Sequence, residues 1–330
     1  MLGVFGRLAT AKAAGERRGG VTEAAASSIR TPLHNALLDY LRFAASLVIV
    51  LFHTGSLFKS ADQAAVGFFA MVMTYFTLSG FQARKTSLPS YLKTRARRLL
   101  YPCLLWAALH IIGKAAAARF EIAPLRADLV GWLPPHGTMA QLWFLPCAFA
   151  CTALLAMAFH GRPPVSGGGR HGAAMTLVTL IACFAMVSVW SRQILPLFWS
   201  IWALYCTSVA IGILLFALRD KPAHLILASL CLVLTGIAMK GLGLSGTTQM
   251  TIACPLFVSA LLCQLRDRPF ARTLGAMSFD IYLCHVVMTA LAKSLLGVDL
   301  ATPSGALIAC LLSVLFATAM RITRPGSWLR

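Results

Sequence analysis

The chain has 330 residues, of which 58% are hydrophobic and only 12% charged, with a mean hydropathy of +0.77. Charged residues are about half as frequent as the ~25% usual in soluble domains, which excludes an ordinary soluble protein. The net charge of +19 is met by the basic cytoplasmic loops of a membrane protein, so no nucleic-acid partner is expected.

Residues 1–35 are Ala/Gly-rich with Arg7, Lys12, Arg17, Arg18 and Arg30, and contain no long apolar run. They read as a cytoplasmic tail rather than a signal peptide. Ten apolar segments follow, at roughly 37–58, 64–83, 100–118, 142–159, 173–191, 198–218, 224–240, 249–265, 277–296 and 305–321, each near the ~20 residues a span needs. The expected fold is therefore all-α and polytopic, with about ten transmembrane helices over residues 36–322 and a short tail at 323–330. With the N-terminus inside, the inner segments carry 21 Lys and Arg and the outer segments 7. That bias predicts cytoplasmic N- and C-termini. The ten cysteines all lie in apolar runs and read as small core residues.

The first span begins LDYLRFAASLVIVLFH, residues 38–53, and carries Asp39, Arg42, Ser46 and His53 within about 60° of helix azimuth. The polar groups form one stripe. Arg42 and His53 stand about 16 Å apart along the axis, with only ten apolar residues between them, so a spanning helix puts one or both at membrane depth. Such groups face protein or water, or snorkel to the interface. The second span ends TYFTLSGFQ, residues 74–82, where Thr77, Ser79 and Gly80 interrupt an aromatic run. Small residues there serve close helix packing, and Ser79 is also a candidate for the donor side of a site.

The next inner stretch, YLKTRARRLLYP at 91–102, reads as a basic loop, with Pro102 in the first turn of span three. Lys93, Arg95, Arg97 and Arg98 suit either anionic lipid headgroups or a bound phosphate, which arginine grips in bidentate fashion. The longest outer connection, 120–141, holds Trp132, Pro134, Pro135 and His136 and runs into LWFLP at 142–146. Its tryptophans, with Trp143, are interfacial anchors or stacking platforms at a substrate mouth. The Gly/Pro-rich 160–172 reads as a connector, and spans five to eight as scaffold. Span nine begins LGAMSFDIYLCH, 274–285, with Ser278, Tyr282 and His285 on one face and His285 about eight residues inside. A second membrane histidine on a polar face strengthens the case for a site.

In this order, LDYLR with His53, FTLSGF, Arg95-x-x-Arg98 followed by LLYP, LWFLP and SFDIYLCH resemble the acyltransferase-3 family of integral membrane O-acyltransferases. The arginine motif is most similar to the branch that includes sugar O-acetylases of the fucose-acetylase type. The resemblance implies ten spans, acetyl-CoA as donor substrate with no permanently bound cofactor and no metal, and an exported or cell-surface glycan as acceptor. The expected setting is a bacterial inner membrane. It also implies that Arg42 and His53, and Arg95 and Arg98, are essential. Histidine titrates near neutrality, which makes His53 the expected base for the acceptor hydroxyl. Arg42, paired with Asp39 at i, i+3, neutralises donor charge or holds the helix face. Arg95 and Arg98 hold the donor phosphates, and Trp143, Ser278, Tyr282 and His285 line the cavity. The competing class is a transporter of a lipid-linked sugar or small anion, using the same Arg and His for alternating access.

Overall fold

The computed structural model describes residues 35–55, 61–83, 87–117, 143–160, 170–263 and 265–322. The two tails and the connection carrying Trp132 and His136 lie outside the described residues. Ten α-helices are present among the described residues: α1 Ala36–His53, α2 Ala61–Ala83, α3 Leu88–Ala117, α4 Phe144–Phe159, α5 Arg170–Ser191, α6 Leu197–Leu218, α7 Pro222–Gly241, α8 Cys254–Leu262, α9 Pro269–Leu296 and α10 Pro303–Ile322. No strand occurs among the described residues. Each of the ten expected spans falls on one helix. Seven of them (α1, α2, α5, α6, α7, α9 and α10) are long and apolar enough to cross a membrane. The chain is a multi-pass membrane protein.

Three helices depart from the sequence expectation. The basic stretch is no loop. Leu, Lys, Arg and Ala are good helix formers, and without a glycine to stop them α3 starts at Leu88. Pro102 consequently sits inside a 30-residue helix rather than in its first turn. The eighth segment opens as a π-turn, Gln249–Ala253, before α8. Pro255 in the first turn of α8 has no N–H to give and crowds the carbonyl four residues back, which favours the wider turn. Gln249 there accepts a 2.5 Å hydrogen bond from Ser208 of α6, so the middle helices contain a buried polar node as well as scaffold. Finally, α9 begins at Pro269, eight residues before the expected span, so His285 lies sixteen residues after its first residue, just past its midpoint, rather than about eight.

The packing is organised by α1 and α9, which run parallel. Near the start of α1, Asp39 packs on Gly275; at its end, His53 stacks on His285. The last helix, α10, runs against α9. Arg321 reaches Asp280 through Nε at 2.7 Å and Nη2 at 2.6 Å, and Cys284 donates to the Ser313 carbonyl. The first residue of α1 and the last of α10 therefore lie toward one end, called here the Asp39 end, with the His53 end opposite.

Parity adds a constraint. Of the seven long apolar helices, α2, α5, α6 and α7 lie between α1 and α9. Four crossings would return the chain to the face reached at His53, and α9 would then run antiparallel to α1. Parallel packing requires an odd number of further crossings, and α3, α4 and α8 are the remaining helices among the described residues. Helix α4 is about 24 Å long at 1.5 Å per residue, short for a ~30 Å hydrocarbon core but reachable by local thinning. The ten cysteines are free thiols, and five of them are buried.

Candidate active site

Residue Asp39 is the first element of the site. It is 5% exposed in the first turn of α1, where a carboxylate suits the positive end of the helix dipole. Its Oδ1 accepts from Arg42 Nη1 at 3.2 Å, one turn on. The carboxylate packs against Gly275 of α9, where an added Cβ would overlap the Asp39 side chain. Glycine at 275 is thus what lets α1 and α9 close on each other with a charged group between them. Ser46, next on the stripe, is fully buried and donates to the Phe43 carbonyl at 2.7 Å. Ser278 on α9 likewise turns back, donating to the Gly275 carbonyl at 2.7 Å. Both hydroxyls are engaged within their own helices.

At the other end, His53 is the last residue of α1. The chain leaves the helix at Gly55, whose φ of 73° is the left-handed conformation that ends helices. The His53 side chain is exposed, and its ring stacks on that of His285 with centroids 4.9 Å apart and planes 30° apart. His285 is completely buried. Its Nδ1 lies 2.6 Å from the Tyr282 carbonyl oxygen. A carbonyl only accepts, so Nδ1 carries the hydrogen and Nε2 presents its lone pair. That Nε2 is buried with no hydrogen-bond partner among the described residues.

An aromatic chain leads away from the pair. Tyr282 is 5.8 Å from His285 and 5.5 Å from Phe144; Phe144 meets Tyr205 at 5.2 Å; and Tyr205 meets Trp143 at 6.1 Å. Trp143 is half-buried and heads α4. One turn from the histidines toward the Asp39 end lies a small apolar cleft of about 20 Å³, lined by Ile49, Val66, Phe69, Phe144, Phe279 and Tyr282. Four helices contribute to it: α1, α2, α4 and α9.

The arginines occupy the opposite end. Helix α2 runs back from the His53 end, as Val66 beside Ile49 requires, and only residues 84–87 separate it from α3. The start of α3 therefore lies toward the Asp39 end. Leu99, Cys103 and Trp106 pack α3 onto the main core, and Trp106 meets Phe316 of α10 at 6.2 Å. Arg95 continues that packed face, about 12 Å short of Cys103 at helical rise, and Arg98, about 7.5 Å short of it, lies about 100° round the helix from that face. The Arg95 guanidinium sits 5.1 Å over the Tyr91 ring, and its Nε donates to the Tyr91 hydroxyl at 2.9 Å. Arg98, Lys93 and Arg97 are exposed. Ser79 is half-buried near the end of α2; among the described residues no hydrogen bond joins it to either arginine.

The structure thus brings His53, His285 and Tyr282 together, joins Asp39 to Arg42, and holds the Arg95/Arg98 pair apart from both. Trp143 connects to Tyr282 through Phe144. Sequence reading missed Gly275, Phe144 and Tyr205. Gly275 had a signal, since it lies three residues before Ser278 on the same face. Phe144 stands inside LWFLP. Tyr205 lies in an apolar run with nothing to mark it.

Comparison with known proteins bears on what such an arrangement does. A family model described as "Acyltransferase domain", that of the acyltransferase-3 family, matches residues 35–322. A curated relative, an amino-acid racemase of Enterococcus faecalis, is 25% identical over 128 residues, covering 36% of this chain and 17% of that protein. The chain thus matches about a sixth of the length of that relative. No solved structure matches it. The family match spans every helix described above, from the residue before α1 to the end of α10, and the chain accordingly belongs to the acyltransferase-3 family of membrane acyltransferases.

Proposed function

We propose that the protein is an O-acetyltransferase of a bacterial inner membrane, moving an acetyl group from cytoplasmic acetyl-CoA to a hydroxyl of an exported or cell-surface glycan. One observation carries the reading. The basic arginines and the histidine pair lie at opposite ends of the same helix group, with the apolar cleft near the histidines. The basic bias of the loops puts the Asp39 end in the cytoplasm.

In this reading Arg95 and Arg98 take the phosphates of the donor, with Arg95 braced on Tyr91 so that little side-chain freedom is lost on binding. Ser79, at the cytoplasmic end of α2, belongs to the same side. The acetyl end of the donor is small and weakly polar, and the apolar lining between Ile49, Phe144 and Tyr282 matches it in polarity. Arg42, held by Asp39, stands on the α1 stripe between the donor's charged end and the cleft, where it offsets negative charge. The histidine pair supplies acid–base chemistry at the outer mouth, with His53 the ring open to an acceptor. Trp143, half-buried at the head of α4, gives the aromatic face on which a sugar ring rests, and Tyr282 lines the cleft. The arginine motif favours the sugar O-acetylase branch of the family. The likeness to a racemase, confined to 128 residues, contributes no activity to this reading.

Sealed vesicles of both orientations test it. Acetyl-CoA supports acetylation only from the cytoplasmic side, and an impermeant glycan accepts only from the outer side. Mass analysis of surface glycans with and without the gene identifies the acceptor. Equal transfer with both substrates confined to the cytoplasmic face overturns the transmembrane route.

A further inference from the structure

The stacked histidines are not equivalent, and the difference assigns their roles. Building on the acyl-transfer reading above, we propose that His285 Nε2 is the atom that takes the acceptor's hydroxyl proton, while His53 is the movable cover through which that hydroxyl reaches it. Three features of the site point this way.

The first is tautomer. Nδ1 of His285 is committed to the Tyr282 carbonyl at 2.6 Å, so its neutral ring holds a bare lone pair at Nε2 in one fixed orientation. A general base requires that state, and base-plus-orienter is the recurring form of such sites. The second is the unmet hydrogen bond. Nε2 is buried without a partner among the described residues, and leaving a buried acceptor unpaired costs about 1–3 kcal/mol. Neighbouring side chains are Tyr282, whose ring is tilted at 41° to the imidazole, and the stacked His53. A hydroxyl donor is the ligand such an atom lacks. The third is access. His285 is wholly buried, whereas His53 is exposed on the last residue of its helix, ahead of the left-handed Gly55. Rotation of this exposed His53 side chain is the movement the proposal requires to uncover the ring beneath.

The step balances. The acceptor O–H proton passes to His285 Nε2, and the oxygen attacks the thioester carbonyl arriving along the cleft. A C–O bond forms and the C–S bond breaks. The thiolate of the donor leaves with the electron pair. His285, then protonated at both nitrogens, returns its proton to the thiolate or to water at the mouth. His53, swung beside the acyl group, donates its N–H to the developing oxyanion.

The test is chemical rescue in host-cell membranes, with radiolabelled acetyl-CoA and label counted in extracted surface glycan. His285→Ala lowers transfer by at least about 100-fold, the usual scale of a lost general base. Thermal stabilisation by acetyl-CoA, measured on purified protein, persists and shows the variant folded. Added imidazole restores transfer, and at fixed pH a series of substituted imidazoles restores it in order of basicity. In His53→Ala, rescue shows no such order. The assignment is overturned if His285→Ala keeps more than about a tenth of wild-type transfer. It is equally overturned if no imidazole rescues it, or if pyrrole, which fills the hole without a basic nitrogen, rescues as well as imidazole. Failure of the underlying reading is a separate result: wild-type membranes then label no glycan at all.

Discussion

Two pairs of helices in this molecule solve opposite problems. Helices α1 and α9 bring Asp39, Arg42, Ser46 and His53 against Gly275, Ser278 and His285 in a parallel, close-packed seam. Helices α5 and α7 present Leu177, Val178 and Ile181, and Leu227, Leu230 and Leu234, outward, each more than half exposed. In a membrane those outward side chains meet lipid tails as apolar as themselves, so little is gained by turning them inward. Polar groups in the seam have no such indifference. Each must find protein or water, and each therefore fixes which face of its helix is buried and against what.

The sharpest way to break the comparison is at the ring that faces outward from the seam. His53→Ala is expected to cut glycan acetylation by more than tenfold while the protein inserts and purifies normally. Oxyanion donors and acid–base groups each contribute roughly 10²-fold or more. Activity above about a tenth of wild type would remove His53 from the chemistry and leave it as an end-cap.

Gly275→Ala comes next, and it tests the seam rather than the site. A methyl group there overlaps the Asp39 carboxylate, so α1 and α9 must separate or Asp39 must leave its niche. Overpacking of this kind typically costs 1–3 kcal/mol. A lowered Tm in detergent, with activity reduced in proportion, is the expected outcome. The double change Asp39→Gly with Gly275→Ala regains the stability lost to overlap but not the activity, because the Arg42 partner is gone. Unchanged Tm in Gly275→Ala would show that the seam has slack.

What was legible in the sequence follows the same division. The stripe from Asp39 to His53 and the face from Ser278 to His285 stood out because polar residues are rare in apolar helices, and both faces are found packed on each other. The ten helical segments were legible from hydropathy alone. Their starts were not: α3 and α9 each begin well before the apolar run, because basic and small residues that lower hydropathy are still good helix formers. The place of Tyr205 in the aromatic chain was illegible, since tyrosine in an apolar helix is as consistent with an interfacial anchor as with a core contact. Nor did spacing reveal that the Ser46 and Ser278 hydroxyls bond back to their own helices. A helical wheel places a hydroxyl on a face and says nothing about its rotamer.

A smaller effect belongs to α3, which shares both characters: a core-packed half and a basic half. Arg95→Lys or Arg98→Lys keeps the charge and loses the fork. A rise of about tenfold in apparent KM for acetyl-CoA is expected for each, the equivalent of about 1.4 kcal/mol, with kcat nearly constant. If KM holds in both, the basic turn serves lipid headgroups instead.

The smallest effect is expected where the comparison predicts indifference. Leu177→Ala on α5 and Leu234→Ala on α7 remove large side chains that are 60% and 65% exposed. In a soluble protein such surface leucines would be conspicuous; here they face the bilayer, and alanine remains apolar enough for a span. Neither helix contributes a residue to the cleft or to the histidine pair. Stability changes within about 0.5 kcal/mol and unaltered acetylation are the expected results. The informative comparison is with an equal truncation on the opposite face, Leu232→Ala, which is fully buried in the main core and should cost 2–5 kcal/mol. Equal losses on the two faces of α7 would mean that its exposed side is covered by protein in the assembled state, by a second copy or another chain. That result would turn the scaffold into an interface, and would move α7 to the side of the comparison where each face has a defined partner.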